Sequence, residues 1–148
     1  MIVIDTSVWI LLLNGIDHAK AERARAVIEG PEDVGVPGII LEEILRGLRR
    51  DAHFYRVRDL LLNDFTYLEM RQSLFLRSAE IYRSLRKKGK TIRSPADCLI
   101  AACAIEEVAL LLENDADFHT IAEIFPLKLF GETLGGTRLG GTRLGASE

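Results

Sequence analysis

The fold is decided by the first apolar stretch of the chain, Ile2-Val3-Ile4-Asp5-Thr6-Ser7. Three apolar residues that end abruptly on polar ones are typical of a buried parallel strand. The residues from Val8 to Asn14 then favour a helix, which Gly15 ends. A buried strand that leads directly into a helix is the opening unit of an α/β domain, and Asp5 lies at the carboxyl end of that strand.

The same alternation continues along the chain. Helical periodicity separates further short apolar runs that favour strands, at residues 34–36, 65–68, 108–112 and 127–130. The pattern predicts a three-layer α/β/α domain over residues 1–131, with a central, mainly parallel sheet of about five strands. Residues 132–148 are rich in glycine and contain the sequence Leu-Gly-Gly-Thr-Arg twice, so we expect a disordered tail there.

The composition, 48% hydrophobic and 28% charged residues in 148, is that of an ordinary globular protein. The first residues lack a basic region followed by an apolar run, so we expect no secretory signal. The most apolar stretch, residues 98–112, is interrupted by Glu106 and Glu107 and is not expected to span a membrane. Cys98 and Cys103 fit no metal-ligand spacing, and we expect buried thiols in a reducing cytoplasm.

The net charge of −3 hides an uneven distribution along the chain. Residues 1–45 carry three Lys/Arg against eight Asp/Glu, and residues 94–148 carry three against nine. Residues 46–93, by contrast, carry thirteen Lys/Arg against five Asp/Glu. A basic middle between acidic ends suits a protein that binds a polyanion beside a cation-binding acidic centre, although solvated helix faces would give the same charge pattern.

Five carboxylates are predicted to converge on one edge of the sheet. They belong to Asp5, Glu43, Asp97, Asp115 and Asp117. The first ends the first strand, and the last two follow the strand at 108–112. Asp97 lies in the first turn of a helix that begins at Ser94-Pro95, and Glu43 lies in the helix after the second strand. Because sites in parallel α/β sheets form at the carboxyl ends of the strands, these side chains can meet there.

Each acid also has a structural explanation. Asp5 could cap the first helix, and the two acids after the strand at 108–112 could be turn residues. The spacing Ser94-x-x-Asp97 matches a capping box, and Glu43 could simply face solvent. These alternatives are open for any single residue, whereas the shared position of all five favours a common site.

Carboxylates gathered at one point repel each other and raise one another's pKa values unless a cation neutralises them. The sequence has no His or Cys set with zinc-ligand spacing, whereas all-oxygen ligation suits Mg²⁺, with Mn²⁺ as the alternative and one or two ions per site. Such ions commonly serve phosphoryl chemistry by activating an attacking water and stabilising the leaving oxygen. The residues alone therefore predict metal-dependent phosphodiester or phosphate chemistry.

Four segments carry these acids in a recognisable order. They are Val3-Ile4-Asp5-Thr6-Ser7, Glu43-Ile44-Leu45-Arg46-Gly47, Asp97-Cys98-Leu99-Ile100-Ala101-Ala102 and Asn114-Asp115-Ala116-Asp117-Phe118. In order and spacing, over roughly residues 1–130, the chain resembles the PIN-domain nucleases and, within them, the VapC toxins of prokaryotic toxin–antitoxin pairs. The resemblance implies endonucleolytic cleavage of RNA, in which water attacks phosphorus and leaves a 5′-phosphate and a 3′-hydroxyl.

The resemblance also implies a role for each matched residue. The core catalytic and metal-binding acids are Asp5, Glu43, Asp97 and Asp115, and Asp117 is an additional acid that binds a second metal or maintains the site. Ser7 and Asn114 would hydrogen-bond the acids or the substrate, with a cap or turn role as the alternative for each, and Arg46 and Arg93 would hold phosphates. No catalytic role falls to the histidines, which are His18, His53 and His119.

The partners that the resemblance implies are an RNA substrate (transfer, ribosomal or messenger RNA), a second copy of the chain, and a VapB-like antitoxin. The antitoxin would insert a cationic side chain into the acidic site in competition with the metal. Two other functions stay open at this point: a PIN-like module that binds RNA or antitoxin without cleavage, and a Mg²⁺-dependent phosphatase. The phosphatase is less favoured, because an aspartyl-nucleophile enzyme carries Asp-x-Asp where this chain has Asp5-Thr6-Ser7.

Overall fold

A computed structural model of the chain describes residues 1–131. Its five strands are β1 (Ile2–Ile4), β2 (Val34–Pro37), β3 (Thr66–Leu68), β4 (Leu110–Leu112) and β5 (Lys128–Leu129). Its seven helices are α1 (Thr6–Leu13), α2 (Ala19–Glu29), α3 (Gly38–Arg46), α4 (Asp51–Asn63), α5 (Gln72–Lys87), α6 (Pro95–Glu106) and α7 (Ala116–Ala122). The predicted disordered tail, 132–148, lies outside the described residues.

All five strands belong to one parallel sheet in the order β3-β2-β1-β4-β5. The predicted three-layer α/β/α architecture with a central parallel sheet is confirmed. From β1 the chain builds the sheet outward through β2 and β3, and it then returns to place β4 and β5 on the other side. The strand order therefore reverses between β1 and β4, and this is where ligands bind in open α/β sheets.

The central strands are buried on both faces, as the uninterrupted apolar runs predict. Ile4 pairs with Leu112, so the residues that follow β1 and β4 leave the sheet side by side. Behind them, α6 is apolar on all sides, and every residue from Asp97 to Ala104 is buried. The fold thus fixes one acid of the predicted site at the buried start of its most enclosed helix.

The two thiols of α6 are free and buried, as expected. Burial raises the pKa of Cys98 to about 11 and that of Cys103 to about 12, so neither is a reactive thiolate at neutral pH. Within residues 1–131, the structure contains no helix that is both long and apolar enough to cross a membrane.

The boundaries predicted from the sequence differ from the structure at the strand predicted for residues 108–112. The strand predicted to begin at Val108 begins at Leu110, because Val108 has a φ of 51° and turns the chain out of α6. Ser94 is the N-cap residue of α6 with Pro95 in the first turn, but its side chain makes no capping hydrogen bond. The capping-box interpretation of Asp97 is therefore wrong, and its carboxylate is left for other contacts.

Candidate active site

Asp5 enters the site directly from the end of β1. Its backbone N–H donates to the carbonyl of Leu112 at 2.9 Å, which fixes it beside the end of β4. Its Oδ2 accepts hydrogen bonds from the N–H and the hydroxyl of Ser7, so Asp5 is also the N-cap of α1. The capping role and the buried position in the site thus occur together, and Ser7 orients the carboxylate.

Asp115 and Asp117 lie on the loop from β4 into α7. Asp115 is the N-cap of α7, and its Oδ1 accepts from the N–H of Asp117 at 3.0 Å. Asp117 is buried, and its Oδ2 accepts from the backbone N–H of Arg93 at 3.0 Å. One hydrogen bond within the loop and one from the distant segment at Arg93 therefore hold both carboxylates at the carboxyl edge of β4.

Asp97 completes a cluster with these two acids. One carboxylate oxygen from each of Asp97, Asp115 and Asp117 lies within 4.8 Å of the others. Asp97 is only 9% exposed, and its buried Oδ2 has no hydrogen-bond partner among the described residues. An unpaired buried carboxylate oxygen is costly, so Asp97 is the member of the cluster whose charge a cation would stabilise most.

Glu43 approaches from α3 and is held by a residue that the sequence did not single out. The hydroxyl of Thr6 donates to Oε2 of Glu43 across 37 residues of sequence. Glu43 is partly buried, whereas its neighbour Glu42 is exposed and pairs with Arg46. The alternative explanation, that Glu43 simply faces solvent, is therefore wrong.

The pKa values of Asp97 and Asp5 are raised by burial and by the neighbouring acids. Burial, followed by the charges of Asp5, Asp115, Asp117 and Glu43, raises the pKa of Asp97 from 3.8 to about 7. Burial also raises the pKa of Asp5, against the lowering effect of its hydrogen bonds with Ser7. Asp97 thus interacts electrostatically with each of the other four acids, although Asp5 and Glu43 lie outside the tight group of three.

The predicted supporting residues occupy different positions. The guanidinium of Arg93 lies 3.4 Å from Oδ1 of Asp115 and 3.8 Å from Oδ2 of Asp117. Arg46 contacts Glu42, four residues earlier on α3, at 3.2 Å and is directed to a surface carboxylate rather than to the acid cluster. Asn114 is exposed in the loop before Asp115. Ser7 and Arg93 thus contact the matched acids.

Glu113 is the functional candidate that sequence reasoning missed. It is 5% exposed, and its Oε2 accepts from the N–H of Asp115 at 2.8 Å. Its Oε1 lies 3.0 Å from Nε2 of His119 and 3.5 Å from Nζ of Lys20. The available signal was its position directly after β4, but its compensating lysine is on α2, far away in sequence. Glu113 holds the loop that carries two of the acids.

The donor set fits a divalent cation. The three clustered carboxylates offer hard oxygen ligands, and Oδ2 of Asp97 is buried without a protein partner. The raised pKa of Asp97 shows that the protein alone does not neutralise the group. Fold and site together define a class of protein: a parallel α/β domain that gathers carboxylates suited to a divalent cation where its strand order reverses.

Comparison with known families identifies the class more closely. The family model of the PIN domain matches residues 2–124. Ribonuclease VapC11 from Mycobacterium tuberculosis and VapC ribonuclease Mb1587 from Mycobacterium bovis are each 35% identical over 130 residues, which is 86% of this chain and 96% of theirs. The chain therefore belongs to the PIN domain family, within its VapC ribonucleases, as the four segments predict.

A solved structure agrees on the fold. VapBC2 from Rickettsia felis, bound to a DNA fragment from its promoter, superposes with a TM-score of 0.69 at 22% identity. The match covers 87% of this chain and 97% of that one. At this identity the comparison supports the architecture alone, and the acid geometry described above is a property of this chain.

Proposed function

We propose that this chain is a metal-dependent endoribonuclease and the toxin component of a VapBC-type toxin–antitoxin module. One observation carries the proposal: one carboxylate oxygen from each of Asp97, Asp115 and Asp117 lies within 4.8 Å of the others, in a cluster whose buried member, Asp97, has an oxygen without a protein partner. The chain's membership of the VapC ribonucleases supports RNA as the substrate. The site lies where parallel α/β sheets bind their ligands.

The catalytic acids in this proposal are Asp5, Glu43, Asp97 and Asp115, and Asp117 joins them in holding the metal. Mg²⁺ is the expected ion, Mn²⁺ is a substitute, and one or two ions occupy the site. When bound, such an ion supplies an activated water and stabilises negative charge on the cleaved phosphodiester. The carboxylates would be ionised in that state, because the cation reverses the repulsion that raises the pKa of Asp97.

The chain's own residues would orient the reaction. The hydroxyls of Ser7 and Thr6 fix the carboxylates of Asp5 and Glu43, so that neither has to reorganise as substrate binds. Arg93 at the acid cluster, together with Arg46 and Asn114 on the surrounding surface, would contact the RNA backbone. The cationic segment 46–93 would extend that contact, since phosphate neutralisation dominates the affinity for single-stranded RNA.

We further propose a homodimer in the cytoplasm, inhibited by a VapB-like antitoxin. The structural relative from Rickettsia felis is a VapBC complex, which supports an antitoxin partner here. A cationic antitoxin side chain would bind the acid cluster by charge-assisted hydrogen bonds, in competition with the metal. Transfer, ribosomal and messenger RNA are the candidate substrates, and single-stranded phosphates would be what the site recognises.

The test compares purified parent protein with Asp97→Asn on total cellular RNA in Mg²⁺ or Mn²⁺. The matched control is Asp64→Asn, which changes an exposed aspartate at the end of α4. We expect cleavage by the parent and the control, with 5′-phosphate ends, no cleavage in EDTA, and at least about a hundredfold loss in Asp97→Asn. Ends carrying a 5′-hydroxyl, or equal cleavage by Asp97→Asn, would exclude the proposed chemistry at this site.

A further inference from the structure

Arg93 places its guanidinium beside two members of the acid cluster, Asp115 and Asp117. Among residues 1–131, its guanidinium is the one cationic group within ion-pair distance of Asp115 or Asp117. Both distances, 3.4 Å and 3.8 Å, are long for a charge-assisted hydrogen bond, and the side chain is 77% exposed. The guanidinium therefore neutralises the acids only partly, and a stronger cation at the same carboxylates can displace it.

The backbone of Arg93 is held much more firmly than its side chain. Its N–H donates to Oδ2 of Asp117 at 3.0 Å. Three residues earlier, Lys90 forms a 2.5 Å ion pair with Glu123, just after α7. The segment 90–93 is thus held at the edge of the site by the side chain of Lys90 and by the N–H of Arg93, while the exposed guanidinium of Arg93 can change its partner.

We propose that Arg93 exchanges between two anions: it is the internal counter-ion of Asp115 and Asp117 in the metal-free protein, and it binds a phosphate of the RNA backbone once a divalent cation takes those oxygens. The proposal rests on the proposed function, because it assigns the phosphate to the RNA that this site would bind. It makes Arg93 a substrate-binding residue whose availability depends on the metal.

The charges favour this exchange. A divalent cation binds the same carboxylates more strongly than one exposed guanidinium does, so it removes the partners of Arg93. The anchored backbone then keeps the side chain at the edge of the site, where a phosphodiester must approach the acids. A guanidinium can bind phosphate oxygens through two parallel N–H donors, which suits this second partner.

The first arm of the test measures Mn²⁺ binding without RNA, from the electron paramagnetic resonance signal of free Mn²⁺. Because Arg93→Gln removes the competing cation, we expect it to bind Mn²⁺ about three- to tenfold more tightly than the parent. Arg93→Lys, which keeps the charge, should stay close to the parent. The matched control, Arg25→Gln, removes an exposed arginine that pairs with Glu22 on α2, and it should change nothing.

The second arm measures binding of a fluorescein-labelled, single-stranded RNA 20-mer by stopped-flow fluorescence anisotropy, read before any cleavage takes place. With saturating Mn²⁺, we expect Arg93→Gln to bind this RNA about fivefold more weakly than the parent does. In EDTA the two proteins should differ by less than about twofold, because the guanidinium of the parent is then engaged by the acids. Thermal melts of both proteins confirm that they are folded.

Three results would overturn the exchange. Unchanged or weaker Mn²⁺ binding by Arg93→Gln would mean that Arg93 is not a counter-ion of these acids. Equal weakening of RNA binding in EDTA and in Mn²⁺ would mean that Arg93 contacts phosphate in both states, and no weakening in Mn²⁺ would remove the phosphate contact. Neither arm depends on RNA cleavage. If the parent protein binds Mn²⁺ but does not cut RNA, the proposed function is refuted, and the two binding measurements still test whether Arg93 exchanges its partners.

Discussion

Replacing Asp97 with Asn is expected to protect the metal-free protein against a loss of stability that the parent suffers as the pH rises. Burial and the neighbouring acids raise the pKa of Asp97 from 3.8 to about 7. Between those two values the folded protein keeps a proton that the unfolded chain has released. The free energy of unfolding therefore falls as the pH rises through this window, and it stops falling from this cause above about 7.

The expected magnitude follows from the width of the window. One unit of pKa difference corresponds to about 1.36 kcal/mol, so the parent should lose about 2 kcal/mol through Asp97 between about pH 5.5 and pH 8. Asn cannot ionise, and Asp97→Asn should not show this loss. Since the other titrating groups are present in both proteins, the difference between parent and variant reports the ionisation of Asp97 together with its coupling to the neighbouring acids.

The assay is urea unfolding in EDTA at both pH values, followed by circular dichroism. Asp97→Asn should gain about 2 kcal/mol relative to the parent on going from about pH 5.5 to pH 8, and Asp64→Asn should follow the parent. Addition of Mn²⁺ at pH 8 should reverse the order by stabilising the parent more than the variant. A parent–variant difference that is the same at both pH values would refute the view that Asp97 is an uncompensated carboxylate.

Three further predictions concern residues around the cluster. Glu113→Ala should weaken Mn²⁺ binding about tenfold, because Glu113 holds the loop through the N–H of Asp115. Glu113→Gln keeps a hydrogen-bond acceptor and should weaken Mn²⁺ binding less. Equal effects of the two variants in isothermal titration calorimetry would contradict this positioning role. Thr6→Val should lower RNA cleavage about tenfold with little change in melting temperature, because it removes only the hydroxyl that orients Glu43. Unchanged cleavage would show that this hydroxyl does not orient Glu43 for the reaction. Val108→Gly should stabilise the protein by about 1 kcal/mol in urea unfolding, because a β-branched residue is strained at a φ of 51°. A loss of stability in this variant would show that the turn is not strained.

The features that could be predicted from the sequence are those set by nearby residues. The strands at β1 and β4 are short apolar runs that end on Asp5 and Glu113-Asn114-Asp115, so the sequence itself places acids at the carboxyl ends of strands. The reversal of strand order between them then follows from right-handed parallel connections. Local pattern and fold class were therefore enough to propose the acids as one group.

The contacts that sequence analysis missed are made across the fold. Thr6 reaches Glu43 only because α1 and α3 pack together, and the buried carboxylate of Glu113 is paired by Lys20, which comes from the distant helix α2. The spacing of Ser94 and Asp97 was misleading for the same reason. A capping box would satisfy Asp97 locally, whereas the packed structure directs its carboxylate to acids that lie about twenty residues further along the chain.

The central claim is that the acid cluster binds a divalent metal ion, and the most direct measurement is the anomalous scattering of Mn²⁺ in crystals soaked with manganese chloride. A peak is predicted within about 2.0–2.4 Å of Oδ2 of Asp97 and of carboxylate oxygens of Asp115 or Asp117. It should be absent from crystals of Asp97→Asn treated in the same way. Parent crystals that show no peak at the cluster, grown from protein that cleaves RNA in the same manganese buffer, would contradict the account.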